Sequence, residues 1–263
     1  MTKRLRFTEI LHNILASNTK LSTMMAQKKQ SEIKILEIGC GAAEVTAELL
    51  ESGYDSHGID VEFKPSAKLE FMFSQNRIKK IGSDRLLRTS VTELKDEYIF
   101  PHEDNTFDIS FSESTVEHVE NLEEFVFENA RVLKTGGVAI HYFPSKYSII
   151  EPHIGVPFGG IIHNKTYYFI MIKLGLSFKR YRSKFGYVEC YDFIESGTFY
   201  RSRKKYLQTF HNHGFGHLSD NADSVILAKV ARGSKLANLI FHVKILKYFF
   251  KYVRSNVYIF EKL

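Results

Sequence analysis

Apolar residues along this chain follow two rhythms. Ile33 to Ile38 is a short apolar run ending in Gly39-Cys40-Gly41, and His57 to Val61 is a second short run with Asp60 near its end. Thr106 to Phe111, where Phe107, Ile109 and Phe111 alternate, and Val138 to Phe143 also have the signature of strands. Between them, Ala42 to Ser52 sets Val45, Leu49 and Leu50 on one side, and Leu122 to Leu133 is apolar at 122, 125, 126, 130 and 133. That is helical spacing. Gly136-Gly137 turns the chain out of the second helix into the next strand. Strand, glycine turn, helix and strand in repetition predict βαβ units and a mostly parallel sheet.

The remaining segments add three features. Residues 1–30 are expected to form an N-terminal helical segment. An insert at about 145–197 is long for a loop, so it should have its own structure, with a helix over Tyr167 to Leu176. From Leu236 the apolar positions 236, 239, 240, 243, 246, 250 and 253 recur at helical spacing, with Lys235, His242, Lys247, Lys251 and Arg254 mostly elsewhere. This predicts a basic amphipathic C-terminal helix over 232–263. Either an anionic membrane leaflet or a protein surface could receive it.

Composition narrows the class without naming a function. The 263 residues suit one domain with an elaboration, and 44% hydrophobic with 25% charged residues is ordinary for a globular chain. Cys40 and Cys190 are the only cysteines, which argues against a disulfide scaffold and fits a reducing compartment. No apolar run approaches the ~18 residues of a membrane span, and no signal-peptide core follows the basic N-terminus. A cytoplasmic location is expected, with peripheral membrane contact through the tail. The net charge of +6 is uneven. Residues 31–160 carry 12 bases and 23 acids, whereas 161–213 carry ten bases and three acids. Lys179-Arg180-Tyr181-Arg182-Ser183-Lys184 forms the densest basic cluster, and Arg201 to Lys205 could share its face. Such forks suit a phosphate or carboxylate on an acceptor.

The first strand-to-helix turn carries the candidate chemistry. In Glu37-Ile38-Gly39-Cys40-Gly41-Ala42-Ala43, two glycines permit a tight turn and close backbone approach to a ligand. The next helix aims its N-terminus at the same place. Asp60, at the end of the next strand, can accept both hydroxyls of an adenosine ribose. The dinucleotide fingerprint wants a third glycine where Glu44 stands. A carboxylate there would repel a pyrophosphate, which disfavours NAD. A positively charged sulfonium cofactor tolerates acidic surroundings better.

The string ILEIGCGAAEVTAEL resembles the first motif of the class I S-adenosylmethionine-dependent methyltransferases, and HGIDVE the second. NTFDISFSESTVEHVENLEEFVFENARVLKTGGVAIHYFP is similar to their stretch from strand four to strand five, and HNHGF to the entry of strand six. The resemblance covers roughly 31–144 and 199–231. It implies an α/β Rossmann-like fold, a seven-stranded mostly parallel sheet sandwiched by helices, with an acceptor lid inserted after strand five. The domain should span 31–231, and S-adenosyl-L-methionine should be the cofactor. By the same resemblance Gly39, Cys40 and Gly41 line the methionine part, Glu37 holds the acidic strand-end position, and Asp60 holds the ribose. Ser112 offers backbone contacts, and Ser90 and Val91 lie by the adenine. Some ubiquinone-type O-methyltransferases read E-x-x-E-H after strand four. Here Ser114, Glu117 and His118 occupy those positions, the triad is incomplete, and no metal is expected.

Methyl transfer to a hydroxyl needs positioning and a base. His118, just after strand four, and His153, in the glycine- and proline-rich insert, are the candidates; His163 and Tyr167 are weaker ones. The chain is thus expected to be an O-methyltransferase for a small or membrane-linked acceptor such as a sugar or phosphorylated glycan precursor, with a role in polysaccharide biosynthesis. An isoprenoid or quinone acceptor, an RNA acceptor, and a non-catalytic scaffold are the alternatives. No dedicated RNA module accompanies the fold, so nucleic acid is the less expected partner.

Overall fold

A computed structural model describes residues 7–60, 86–88, 99–179, 187–220, 223, 225, 226, 234–243, 245, 246, 253 and 255–263. Seven strands form one sheet: β1 (Lys34–Ile38), β2 (Asp55–Asp60), β3 (Leu86–Arg88), β4 (Phe107–Glu113), β5 (Leu133–Pro144), β6 (Phe215–Asp220) and β7 (Ser255–Lys262). Their order is β3-β2-β1-β4-β5-β7-β6. The first five are parallel, and β7 runs antiparallel to both β5 and β6. The chain starts at the centre, winds outward to β3, then crosses back to β4. The β1/β4 boundary is therefore the switch point, beyond whose carboxyl ends ligands bind in open α/β sheets.

Alternation along the strands builds two cores. Ile35, Ile109, Phe111, Val138, Ile140, Val257 and Ile259 face one side, together with Ile10, Leu11, Ile14, Leu15 and Leu21 of α1 (Phe7–Ser17) and α2 (Thr19–Gln27) and Leu49 of α3 (Glu44–Glu51). Leu36, Ile38, Ala139, Phe143, Tyr258 and Phe260 face the other. They meet Phe125 and Val126 of α4 (Leu122–Val132) and Tyr206 and Phe210 of α7 (Arg203–Asn212). The expected N-terminal helices are present, and they belong to the sheet's own core. Asn18 caps α2 by accepting the N–H groups of Lys20 and Leu21.

The segment after β5 holds α5 (Lys165–Lys173) and α6 (Tyr187–Gly197), with a small core of Ile154, Val156, Tyr168, Cys190, Tyr191 and Ile194. This segment, the lid, thus has a structure and a small core of its own.

Two expectations need correction. The tail is not one helix. Only α8 (Lys235–His242) is a described run of helix there, and Ser255–Lys262 is β7, inserted between β5 and β6. The run Val257-Tyr258-Ile259-Phe260 buries both of its faces, which suits a strand inside a sheet and no surface helix. The domain therefore extends past 231 to 262. Gly136, with φ +78°, sits inside an irregular β5 that already starts at Leu133. It opens a bulge opposite Phe107–Ile109 and does not precede the strand.

Candidate functional site

The glycine turn lies where the switch point predicts. Gly39, φ +76°, and Gly41, φ +51°, both occupy the left-handed region. A side chain on Gly39 would collide with Thr115, at the end of β4, whose hydroxyl donates to the Ile38 carbonyl. Gly39 and Cys40 donate their N–H groups to Ile59 O at 2.8 and 3.0 Å, and Gly41 N–H donates to Asp60 Oδ2 at 2.7 Å. The turn is thereby pinned to the end of β2 with Asp60 against it. At Gly41 nothing stands within 4 Å of where a Cβ would be, so the backbone there is open to a ligand. Glycine backbone and carboxylate together fit the nucleoside cofactor that the turn implies.

The other proposed cofactor residues divide. Glu37 is buried, and its carboxylate accepts both the N–H (2.8 Å) and the hydroxyl of Thr46 in α3. Burial pushes it up to about 8 against those hydrogen bonds, with Glu113 and Asp60 adding to the rise. It holds the turn from behind. Burial also pushes the Cys40 thiol well above its ordinary range, so it remains a thiol. The Ser112 hydroxyl is fully buried, 2.8 Å from His141 Nδ1, so only its backbone can reach a ligand. Ser90 and Val91 lie outside the described residues.

His118 and His153 come together although 35 positions separate them. His118 ends a 3-10 turn (Val116–His118) after β4, and His153 lies in the lid. Their ring centroids are 5.0 Å apart. His118 Nδ1 is hydrogen-bonded to the Gly197 carbonyl at the far end of the lid, and Phe199 N–H donates to Glu117 O at 2.6 Å. His153 Nδ1 donates to Glu151 Oε1 at 2.6 Å. Glu151 is fully buried. It also accepts the His153 N–H (3.0 Å), the Ile154 N–H (2.7 Å) and the Tyr200 hydroxyl (2.8 Å). Burial would raise its pKa, yet these bonds and His153 hold it below the ordinary carboxylate range. Burial lowers His118, so it is neutral at pH 7.

Glu117 is the opposite case. Its carboxylate is fully buried, and among the described residues neither oxygen has a hydrogen-bond partner. Burial pushes it up to about 8, with Glu113 and Glu151 contributing. One ligand atom from each of Glu117, His118 and His153 lies within 4.8 Å of the others. The sequence reading expected no such grouping. It also missed Tyr200, whose only signal is an aromatic after the lid. The Glu151-x-His153 spacing was a readable hint of a paired carboxylate and imidazole.

Of the weaker candidates, Tyr167 donates its hydroxyl to Pro157 O at 2.6 Å, and the His163 ring lies edge-on to Tyr200 with centroids 6.3 Å apart. The Arg201–Lys205 run does not form an open basic face. Arg201 donates to the carbonyls of Phe199 and Glu120, Arg203 pairs with Asp220 and Lys205 with Glu123. Of the lid's basic cluster, Arg180 to Lys184 lie outside the described residues.

Comparison with known proteins agrees with this geometry. Residues 36–141 match the family described as a methyltransferase domain. A ubiquinone biosynthesis O-methyltransferase of Rickettsia typhi is 28% identical over 110 residues, 42% of this chain and 40% of that one. A sterol 4-C-methyltransferase of Caenorhabditis elegans is 28% identical over 133 residues, 50% of this chain and 35% of that one. The similarity thus spans less than half the length of these curated relatives. Among solved structures, a putative S-adenosylmethionine-dependent methyltransferase from Listeria monocytogenes superposes with a TM-score of 0.52 at 12% identity, covering 98% of this chain and 99% of that one. A putative sarcosine dimethylglycine methyltransferase from Galdieria sulphuraria gives 0.50 at 18%, covering 97% and 85%. At these identities the structures speak to the fold alone. Fold, glycine turn and family match converge: residues 36–141 match a methyltransferase domain, and S-adenosylmethionine is the cofactor that this match supports.

Proposed function

We propose that this chain methylates a hydroxyl on a small acceptor bound between the glycine turn and the lid. The observation that carries this reading is the His118–His153 pair, in which His118 ends the turn whose Thr115 packs on Gly39 and His153 comes from the segment after β5. The Gly39–Gly41 backbone and Asp60 would hold S-adenosylmethionine, which would supply an electrophilic methyl group. The chain's own task is to place the acceptor oxygen and remove its proton. With Nδ1–H committed to Glu151, His153 keeps Nε2 as an acceptor for that proton. The ionised Glu151 then stabilises the imidazolium, as an orienting carboxylate does in a triad.

An acceptor with an apolar body, of the isoprenoid or quinone type, fits the lid best. Tyr147, Ile149, Ile150, Phe158, Ile161 and Ile162 stand between 38% and 47% exposed there, more apolar surface than a lid needs for its own packing. The name of the Rickettsia relative points the same way. The glycan acceptor is the second reading. It rested on a basic face, of which Arg201, Arg203 and Lys205 are engaged within the chain. Among the described residues no helix is long and apolar enough to cross a membrane. A peripheral contact of the tail would rest on α8 and no longer on a helix to residue 263.

Calorimetry with S-adenosylhomocysteine tests the cofactor half. Binding is expected, and Asp60→Ala should weaken it roughly 10- to 100-fold, the scale of a lost charged hydrogen bond. Labelled methyl transfer to prenylated catechols and to sugar phosphates tests the acceptor half. His153→Gln should lower kcat on the accepted class about 10²- to 10⁴-fold while leaving cofactor affinity unchanged. No cofactor binding by the unmodified chain would overturn the reading.

A further inference from the structure

Buried carboxylates are normally hydrogen-bonded, and neither oxygen of Glu117 has a hydrogen-bond partner among the described residues. Its oxygen Oε1 lies 3.9 Å from His118 Nε2. Both neighbouring imidazoles have Nδ1 committed to an acceptor, His118 to the Gly197 carbonyl and His153 to the Glu151 carboxylate. That leaves Nε2 of each ring as the unprotonated nitrogen. An imidazole whose second nitrogen donates to a carbonyl or carboxylate is the arrangement that orients metal-binding histidines. The same two outer partners are present here without being part of the cluster itself. Glu113 and Glu151 add negative charge around Glu117.

We propose that Glu117, His118 and His153 bind one divalent transition-metal cation between the end of β4 and the lid. Two imidazoles and one carboxylate suit zinc, manganese, iron(II) or cobalt(II) better than magnesium or calcium, which favour all-oxygen shells. The three ligand atoms lie within 4.8 Å of one another. Ligands about 2.1 Å from a tetrahedral ion stand ~3.4 Å apart, so side-chain rotation of about an ångström closes the set. Three protein ligands leave a coordination position open, as in catalytic sites. This is not the E-x-x-E-H set: Ser114 stands where its first carboxylate would be, and the lid contributes His153 instead. The cation would thus tie the lid to the sheet as well as face the acceptor. The proposal builds on the acceptor site described above. In the metal-free chain His153 is the base described above; with the cation bound, His153 Nε2 would be a ligand and coordination would lower the pKa of the acceptor hydroxyl instead.

The test uses the full chain, stripped with a chelator and dialysed against zinc, then against cobalt(II). One equivalent should be retained, and the cobalt form should show the visible absorption of a low-coordinate nitrogen and oxygen site. Glu117→Gln, His118→Gln and His153→Gln should each weaken zinc binding by about 100-fold or more. His153→Gln, on the lid, remains informative even if a variant closer to the sheet fails to fold. Retention below one-tenth of an equivalent, or equal affinity in the unmodified chain and the folded variants, would overturn the proposal. Metal retention is read without turnover. A chain that binds zinc but transfers no methyl group keeps this site and loses the transferase reading; a chain that transfers methyl groups without binding metal does the reverse.

Discussion

Glu117 shows how one side chain can set a pH dependence. Its ordinary pKa is 4.5, and burial raises it to about 8 in the folded chain. Between those values the folded chain keeps a proton that the unfolded chain has released, so this residue's contribution falls as pH rises. Glutamine carries no such term. In the presence of a chelator, Glu117→Gln should therefore be more stable than the unmodified chain at pH 8, by roughly a kcal/mol or more, and indistinguishable near pH 4. Urea unfolding at the two pH values checks the sign. Added zinc should reverse the order at pH 8, because only the unmodified site is stabilised by binding. Residues of this kind are poorly legible in sequence. His118 and Asp60 could be placed because they follow strands at readable positions. Glu117 sits beside His118 in the sequence, but its burial and missing partners depend on a lid that begins nearly thirty residues later.

At the scale of elements, the α4 face of β4 is instructive. Ser110 Oγ donates to Asn129 Oδ1 at 2.6 Å, Asn129 Nδ2 donates to His141 Nε2 at 3.0 Å, and His141 Nδ1 meets Ser112 Oγ at 2.8 Å. Since the amide nitrogen can only donate, Nε2 accepts and Nδ1 carries the proton. The chain joins β4, α4 and β5 through four fully buried polar groups. Asn129→Ala orphans both Ser110 and His141. It should cost about 2–4 kcal/mol in urea unfolding, whereas a surface alanine on α4 should cost far less. Burial lowers the His141 pKa to about 3. The unfolded chain gains a proton near pH 6.5 that the folded chain refuses, so stability should fall as pH drops from about 6.5 towards 3. The strand itself was readable because Phe107, Ile109 and Phe111 alternate along the sequence, although the structure puts Phe107 in the other core from Ile109 and Phe111. Between them stand serines at 110 and 112, and nothing local says that a helix asparagine and a strand histidine will meet them.

For the whole molecule, β7 decides what counts as the domain. Among the described residues it is the only strand paired with β6, and the Phe210 and Phe260 rings stack at 3.9 Å between α7 and β7. Deleting 255–263 removes four buried side chains from mid-sheet and detaches β6. The truncated chain should lose cooperative thermal unfolding, not merely membrane or partner contacts, which a circular dichroism melt will show. Of the first five strands, β1, β2, β4 and β5 were legible through the alternation of apolar runs and glycine turns, β3 (Leu86–Arg88) was not, and the resemblance supplied seven as the count. The last strand was not. The apolar positions before it do fall at helical spacing, and Val257 to Phe260 looks like a continuation unless its pairing strands are known. The charge pattern misled similarly: bases in Arg201–Lys205 read as an open face until their acidic partners on other elements come into view.

The place of β7 also governs how the molecule can assemble. Val138 pairs with Glu261, so β5 keeps one bare edge until nearly the whole chain is available. Such a late, long-range closure raises contact order and slows the final step. A half-built sheet with an apolar edge is a template for pairing with another copy of itself. Nascent or heat-opened molecules should therefore aggregate through β5, and a refolding chain should reach its native state in one late event when its last strand slides between two others.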